Sequence, residues 1–235
     1  MSRTYSPARR LAAWAVHLYT AMGLPLAYLC ADALVRGDAR TFFLASFLAC
    51  AVDASDGALA RKVGVKSVLP EFSGRRLDDI VDYLHFVVLP LAAIPALGLL
   101  SSDNAPWVIL PLMASAYGFC QDQAKTEDAF VGFPSYWNVL AVYLYVLGAS
   151  ETAVIASLTV LSVLIFVPIH YIYPSRTPLL KPWTVGLGLI WALMIGTLLL
   201  NPDAPWARSL AFVSFYYPVW YLTLSAVHHR RVHAA

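Results

Sequence analysis

The chain has 235 residues, of which 60% are apolar and only 13% are charged, and its mean hydropathy is +0.65. A soluble domain usually carries about 25% charged residues, so this composition indicates an integral membrane protein. The net charge of +2 is too small to indicate a nucleic-acid-binding protein. The three cysteines form no CxxC pair, so they favour neither a disulfide framework nor a cysteine-based zinc site.

Eight apolar segments follow one another along the chain, and a membrane span takes about 20 such residues. We place the spans at residues 11–32, 41–61, 77–100, 105–123, 136–150, 152–170, 183–200 and 206–228. Turn-forming residues separate them, and no linker is long enough to divide the chain. We therefore predict an all-α integral membrane protein with a single membrane-embedded domain over residues 1–235, in which residues 1–10 form a basic interfacial segment.

The positions of the basic residues predict the orientation of these spans. Thirteen of the 16 Lys and Arg residues fall on the side that holds both termini and the loops after spans two, four and six. Only Arg36, Arg40 and Arg208 fall on the other side. Because cytoplasmic loops carry an excess of Lys and Arg, both termini are expected in the cytoplasm.

The second span carries polar residues on one face, although the rest of it is suited to lipid. On a helical projection a single arc of about 140° holds five residues: Asp53, Asp56, Gly57, Ala60 and Arg61. Exposing one carboxylate to hydrocarbon costs about 2.5–3.5 kcal/mol on insertion scales. The two aspartates are therefore expected to face a cavity lined by protein and water.

The third span repeats this arrangement, with Gly74 near its start and Asp78 and Asp82 four residues apart on one face. Asp79 points about 100° away, and a structural ion pair is the favoured interpretation for it. Two helices joined by a short loop run antiparallel, so the four carboxylates of the two spans converge at the cytoplasmic boundary. Divalent Mg²⁺ or Mn²⁺ would relieve their repulsion, and such ions suit a pyrophosphate substrate and phosphoryl-type transfer.

Taken together, the two spans form one extended pattern. It reads Asp53-x2-Asp56-Gly57-x2-Ala60-Arg61, twelve residues, Gly74-x3-Asp78-x3-Asp82. This pattern resembles the signature of the CDP-alcohol phosphotransferases, with all eight defining positions filled. Most members of that family have eight residues between the arginine and the second glycine, and the longer spacing here resembles the bacterial phosphatidylcholine synthase branch.

The resemblance implies that CDP-diacylglycerol and choline react to give phosphatidylcholine and CMP. It implies that Asp53, Asp56 and Asp78 hold two Mn²⁺ or Mg²⁺ ions on the CDP pyrophosphate, with Asp82 near the metals as general base for the choline hydroxyl. The remaining pattern positions are expected to bind nucleotide and phosphate: Gly57, Ala60, Arg61 and Gly74. The glycines and the alanine would let the nucleotide approach the helix backbones, and Arg61 would clamp a phosphate.

Choline carries a quaternary ammonium, which proteins usually hold against aromatic faces, with a carboxylate sometimes nearby. Four residues on the cytoplasmic side are candidates for this role: Tyr83, Trp137, Tyr136 and Glu127. Interfacial aromatic residues also occur without any ligand, because their rings are amphipathic. An aromatic-belt or packing role therefore stays open for each aromatic candidate.

Three rival interpretations differ in acceptor or in protein class. Serine, inositol phosphate or glycerol phosphate could replace choline as the acceptor, and an intramembrane prenyltransferase also uses aspartates and Mg²⁺. A non-catalytic cation transporter is the alternative from a different class, but transporters place their acids near the bilayer midplane. The resemblance also implies a multi-pass enzyme of the bacterial inner membrane, surrounded by membrane lipids, with its active site facing the cytoplasm and with a homodimer as a state found among family members.

Overall fold

The computed structural model describes residues 5–126, 128–201 and 204–234. By its contacts the chain divides into two compact units, which we call unit 1 (residues 1–89) and unit 2 (residues 90–235). The prediction of a single domain concerns the chain as a whole, and it stays a prediction.

The described part of unit 1 is helical, and its helices begin at residues that cap them. Its elements are α1 (Pro7–Ala21), α2 (Gly23–Val35), α3 (Ala39–Val63), the single-turn α4 (Val65–Val68), α5 (Gly74–Asp82) and a π-helix (Tyr83–Val88). The side chains of Ser6, Asp38 and Ser73 accept hydrogen bonds from backbone N–H groups in the first turns of α1, α3 and α5. Helix α3 ends at Gly64, whose φ of 73° lies in the left-handed region that favours glycine.

Part of the predicted N-terminal interfacial segment belongs to helix α1, which begins at Pro7. Arg10 in its first turn forms a salt bridge of 2.8 Å with Glu71, in the connection between α4 and α5. The Arg9 guanidinium lies 4.9 Å from the centre of the Tyr5 ring. These contacts hold the helix start against unit 1, and an interfacial role for residues 1–10 stays a prediction.

Helix α2 lies close to α5 and to the π-helix at Gly23. A Cβ atom on Gly23 would clash with the side chain of Val81, so only glycine allows this approach. His85 lies buried within the π-helix, with its Nε2 2.8 Å from the Gly23 carbonyl oxygen. In the tautomer that carries the proton on Nε2, His85 donates a hydrogen bond to that oxygen. The π-helix directly follows Asp82, and π-helical turns often occur at functional sites.

Unit 2 combines helices with a small β-sheet. Its elements are α6 (Leu89–Ala96, which begins at the unit boundary), a 3₁₀ turn (Ala105–Val108), α7 (Ile109–Phe119), β1 (Ala129–Val131), α8 (Trp137–Leu147), α9 (Glu151–Phe166), β2 (His170–Ile172), α10 (Lys181–Leu200), α11 (Ala207–Ser214) and α12 (Tyr216–Ala234). Strands β1 and β2 pair antiparallel, with Phe130 opposite Tyr171. Helix α12 packs on β2, where the Ile172 N–H donates to Ser225 Oγ at 3.1 Å.

The all-α membrane fold is confirmed in its main features, and the small sheet is a local addition that the sequence did not predict. The sequence analysis ends a span at residue 170, whereas the structure ends α9 at Phe166 and begins β2 at His170. Each strand has three residues, which is too short for an alternating pattern to be recognised. Because the strands lie far apart in sequence, their pairing depends on the tertiary fold.

Four helical segments within the described ranges are long and apolar enough to cross a membrane. They are Pro7–Val35, Ala39–Val63, Lys181–Leu200 and Ala207–His233. Only 22–33% of the most apolar window of each is buried within the protein, so most of its surface is suited to hydrocarbon. These findings confirm a mainly helical membrane protein. The other predicted spans correspond to shorter apolar helices or to the interrupted helix 74–96, so the count of eight spans and the cytoplasmic termini stay predictions.

Candidate metal and substrate site

The acidic pattern lies on two helices of unit 1 that are joined by a short connection. Helix α3 carries Asp53 and Asp56, and helix α5 carries Asp78 and Asp82. Helix α3 ends at the left-handed cap Gly64, and α5 begins at Gly74 after its cap Ser73. The connection between the two halves of the pattern is therefore short.

Three of these four carboxylates form a cluster, which we call the acidic cluster: Asp53, Asp78 and Asp82. One carboxylate oxygen from each lies within 4.8 Å of the others, and all three residues are half-buried. Carboxylate oxygen is the donor type that hard divalent cations such as Mg²⁺ prefer. The acidic cluster therefore has suitable donors close together, and it could bind a metal ion.

Asp56 has a different environment from the acidic cluster. Its carboxylate is buried and accepts a 2.7 Å hydrogen bond from the hydroxyl of Thr20 on α1. At the directly preceding positions of the two helices, Tyr19 and Ser55 share a 2.8 Å hydrogen bond. The structure thus brings three of the four predicted carboxylates together and holds Asp56 against α1. Its role as a metal ligand stays a prediction, and the sequence analysis missed Thr20 because its partner lies 36 residues away.

Gly57 leaves room for the guanidinium of Arg61. A Cβ atom at Gly57 would lie 3.3 Å from Nη1 of Arg61, which is tighter than most such contacts. Arg61 is exposed, and the half-buried Ala60 packs against the small hydrophobic cluster around Leu69. The arginine is thus free of the apolar core and available to an anionic group, as its predicted phosphate-binding role requires.

Gly74 meets a residue that the sequence analysis did not single out. A Cβ atom at Gly74 would lie 2.7 Å from Cε1 of His17 on α1, so glycine is needed for this close packing. The buried His17 ring also contacts Phe72 and Trp14, with ring centres 4.5 and 5.7 Å away. Within the described residues its Nε2 has no hydrogen-bond partner. A histidine inside an apolar span was the available signal, but a lone histidine does not reveal its neighbour.

The neighbouring acid Asp79 has a structural contact, as the sequence analysis favoured. Its Oδ2 lies 3.7 Å from Nε of Arg75, one turn earlier on α5, and both side chains are well exposed. Exposed pairs of this kind contribute little to stability. Asp79 is therefore a useful control for the acids of the acidic cluster.

The candidate choline ligands lie in different parts of the chain. Tyr83 begins the π-helix directly after Asp82 and is half-buried in unit 1. In unit 2, Trp137 is fully buried and donates from Nε1 to Ser115 Oγ at 2.7 Å. Tyr136 packs in an aromatic cluster, with ring centres 6.4 Å from Phe130 and 5.9 Å from Tyr221. Glu127 lies outside the described residues. The burial of Trp137 explains it as a packing residue, and all four choline roles stay predictions.

Fold and site together define a class of protein. It is a helical membrane protein in which the first and the last two aspartates of one extended pattern form a carboxylate cluster between helices α3 and α5. No family model matches the chain. Curated relatives do match it.

Three relatives named phosphatidylcholine synthase illustrate the match. The chain is 41% identical to the protein of Legionella pneumophila over 70% of its own length and 66% of the relative's, just under two thirds of that protein. It is 37% identical to the protein of Rhizobium johnstonii over 88% of both chains, and 36% identical to that of Pseudomonas aeruginosa over 85% of this chain and 84% of the relative. The chain belongs to the phosphatidylcholine synthases, and the match is consistent with that branch of the CDP-alcohol phosphotransferase family.

Proposed function

We propose that this protein transfers the phosphatidyl group of CDP-diacylglycerol to choline and releases phosphatidylcholine and CMP. Membership of the phosphatidylcholine synthases supports the reaction. The observation that carries the assignment to particular residues is the convergence of Asp53, Asp78 and Asp82 within 4.8 Å. These are the acids that the family pattern assigns to metal binding and proton transfer.

The acidic cluster fits a divalent cation by its donor chemistry, since Mg²⁺ and Mn²⁺ prefer carboxylate oxygen. Asp53, Asp56 and Asp78 would hold the two ions of the predicted centre, with Asp82 beside them. When bound, the ions would offset the negative charge that accumulates on the pyrophosphate during transfer. Arg61, which is exposed beside Gly57, would bind a phosphate oxygen of the nucleotide.

Asp82 acts as the general base in this reaction. Its carboxylate accepts the proton of the choline hydroxyl as the choline oxygen attacks the phosphorus that bears diacylglycerol. The new oxygen–phosphorus bond gives phosphatidylcholine, and the bond between that phosphorus and the bridging oxygen breaks. The electron pair of the broken bond leaves with CMP. Choline itself has no basic group that could accept this proton, so a carboxylate of the protein takes that role.

The position of Tyr83 supports a role in choline recognition. It follows Asp82 in the chain and begins the π-helix, so its Cα lies next to that of the proposed base. An aromatic face attracts a quaternary ammonium through its quadrupole. Tyr136 and Glu127 stay candidate choline ligands on the sequence pattern alone, whereas the full burial of Trp137 favours a packing role over its predicted contact with choline.

The cellular setting follows from the same assignment. The enzyme spans the bacterial inner membrane eight times, has both termini in the cytoplasm and draws choline from that side. The excess of Lys and Arg in the loops of one side supports this orientation. A homodimer is its proposed assembly.

The test supplies purified protein with CDP-diacylglycerol and labelled choline, serine, inositol phosphate or glycerol phosphate in parallel. We expect labelled phosphatidylcholine only from choline, and only when Mn²⁺ or Mg²⁺ is present. A different labelled lipid would keep the chemistry and correct the acceptor. Full turnover in excess EDTA would contradict the proposed role of the acidic cluster.

A further inference from the structure

A second cluster of metal-ligand side chains lies in unit 2, and the proposed reaction does not use it. It consists of His170 on β2 and of His229 and His233 on α12, and we call it the histidine cluster. His229 and His233 are four residues apart, so they lie on one face of the helix. One ring nitrogen from each of the three residues lies within 4.8 Å of the others.

The spacing of two of the ring nitrogens is close to that in a tetrahedral metal site. The Nδ1 atoms of His170 and His229 are 3.4 Å apart. Two nitrogens bound at 2.0–2.1 Å to one tetrahedral Zn²⁺ are separated by about 3.4 Å. The ring centre of His233 lies 4.4 Å from that of His229 and 5.4 Å from that of His170, so the third imidazole closes the cluster.

In the structure one of these nitrogens also accepts a backbone hydrogen bond. The N–H of His170 donates to Nδ1 of His229 at 3.2 Å. A single imidazole lone pair cannot serve a metal ion and an N–H group together. Ion binding through Nδ1 of His229 would therefore break this 3.2 Å hydrogen bond. The metal–nitrogen bond that replaces it is stronger than the hydrogen bond that is lost.

We propose that His170, His229 and His233 form a binding site for a Zn²⁺-class ion that fastens the end of helix α12 to strand β2. Imidazole nitrogen suits Zn²⁺, Co²⁺, Ni²⁺ and Cu²⁺, whereas carboxylate oxygen suits Mg²⁺ and Mn²⁺. The protein would thus carry two sites that select different ions. Three nitrogen ligands leave the fourth tetrahedral position to water or to an exogenous ligand.

The surroundings of the histidine cluster suit an accessible nitrogen-ligand site. His170 and His229 are half-buried and His233 is exposed, so the site opens to solvent at the end of α12. Arg230 and Arg231 are exposed, where solvent and salt screen their charge.

The histidine cluster also has a consequence for stability. Strand β2 is already joined to α12 by the hydrogen bond from Ile172 to Ser225 and by the stacked rings of Tyr171 and Tyr221. A bound ion would replace the 3.2 Å hydrogen bond between His170 and His229 with a stronger connection, four to eight residues further along α12 than Ser225. Because an ion that binds only the folded protein stabilises it, Zn²⁺ should raise Tm in a concentration-dependent way.

The experiment uses full-length protein with an affinity tag that contains no histidine, stripped of metal and held in excess Mg²⁺ to occupy the acidic cluster. Titration with Co²⁺ should give intense visible absorption typical of tetrahedral nitrogen coordination, with one ion per chain, and Zn²⁺ should displace it. His170→Gln and His233→Gln should weaken Co²⁺ binding by more than the roughly 10–100-fold that loss of an outer-shell partner costs.

The matched control is His228→Gln, which changes the histidine beside His229 that does not belong to the cluster. The Nε2 atom of His228 lies 4.0 Å from Oδ2 of Asp128. We expect the His228→Gln variant to give the same Co²⁺ spectrum as wild type. His233 is exposed, so the His233→Gln variant should fold normally. This variant therefore tests the site even if His170→Gln fails to fold. Equal Co²⁺ affinity in wild type and His233→Gln, or only weak octahedral absorption, would overturn the proposal.

Discussion

Unit 1 and unit 2 each bring three metal-ligand side chains together, but from different kinds of sequence. In unit 1 the acidic cluster comes from helices α3 and α5, which are joined by a short connection and share one recognisable pattern. In unit 2 the histidine cluster joins β2 to a helix residue 59 positions later. Local spacing therefore predicts a site only when its residues lie on helices joined by a short connection, as Asp53, Asp78 and Asp82 do on α3 and α5.

The largest expected effect separates the acidic cluster from an ordinary acidic surface. Asp82→Asn removes the proton acceptor while keeping the side-chain shape, so turnover should fall by about 10²–10⁴-fold or more. The measurement is the rate of labelled phosphatidylcholine formation, together with nucleotide binding, which should be largely retained.

Asp79→Asn is the matched control, because Asp79 lies on the same helix and pairs with the exposed Arg75. It should keep most of the wild-type rate. If Asp82→Asn is as active as Asp79→Asn, Asp82 is not the base and the two acids do not differ in the way proposed.

The next largest effect tests the role of Asp56, which bonds to Thr20 and is not one of the three acids of the acidic cluster. Thr20→Val keeps the shape of Thr20 but removes the hydroxyl that donates to Asp56. We propose that this hydrogen bond orients Asp56 as a metal ligand. Its loss should therefore lower the apparent Mn²⁺ affinity by roughly 10–100-fold. The measurement is the Mn²⁺ dependence of turnover.

Tyr19→Phe provides the control for this test, because it removes the neighbouring hydrogen bond to Ser55 on the same interface. It should leave the Mn²⁺ dependence unchanged. Equal behaviour of the two variants would assign Thr20 a packing role only.

A third prediction distinguishes two explanations for Gly74. Gly74→Ala places a Cβ against the ring of His17, and overpacking of this kind typically costs about 1–3 kcal/mol. Tm should therefore fall, and the double variant with His17→Ala should recover much of the loss.

The activity of that double variant then decides between the explanations. If stability returns but turnover does not, the added methyl group also obstructs the nucleotide, as the sequence pattern predicts. If Gly74→Ala is as stable as wild type, the claim that His17 packs too closely on Gly74 to admit a Cβ atom is contradicted.

The smallest effect concerns the start of helix α3. The Thr41 side chain and backbone donate hydrogen bonds that lower the pKa of Asp38 below its usual value. A carboxyl with a lowered folded-state pKa stabilises the protein above its unfolded pKa of about 3.9, and this contribution is lost as pH falls through the folded-state value.

Asp38→Ala should therefore lower Tm by only a few degrees at pH 7, while Asp38→Asn should retain much of the cap. The advantage of wild type over Asp38→Asn should shrink as the pH is lowered below about 4. An advantage that grows with acidification would contradict the assigned cap.

Sequence alone predicted the features that depend on local pattern. Hydropathy gave the membrane class and the approximate positions of the apolar helices, and the motif spacing gave Asp53, Asp78 and Asp82 as neighbours. The misses involve contacts between distant residues: Thr20 with Asp56, His17 with Gly74, and the pairing of β1 with β2. None of these partners has a spacing or a composition that marks the other, so only the tertiary fold brings them together.

The most direct test of the central claim is a Mn²⁺ titration followed by electron paramagnetic resonance, with wild type, Asp78→Asn and Asp79→Asn compared in the presence of CDP-diacylglycerol. Our account predicts that Mn²⁺ binds tightly to wild type and to Asp79→Asn, and that Asp78→Asn loses this binding together with phosphatidylcholine formation. Unchanged Mn²⁺ binding and turnover in Asp78→Asn would contradict the claim that the acidic cluster holds the ion on which the transfer depends.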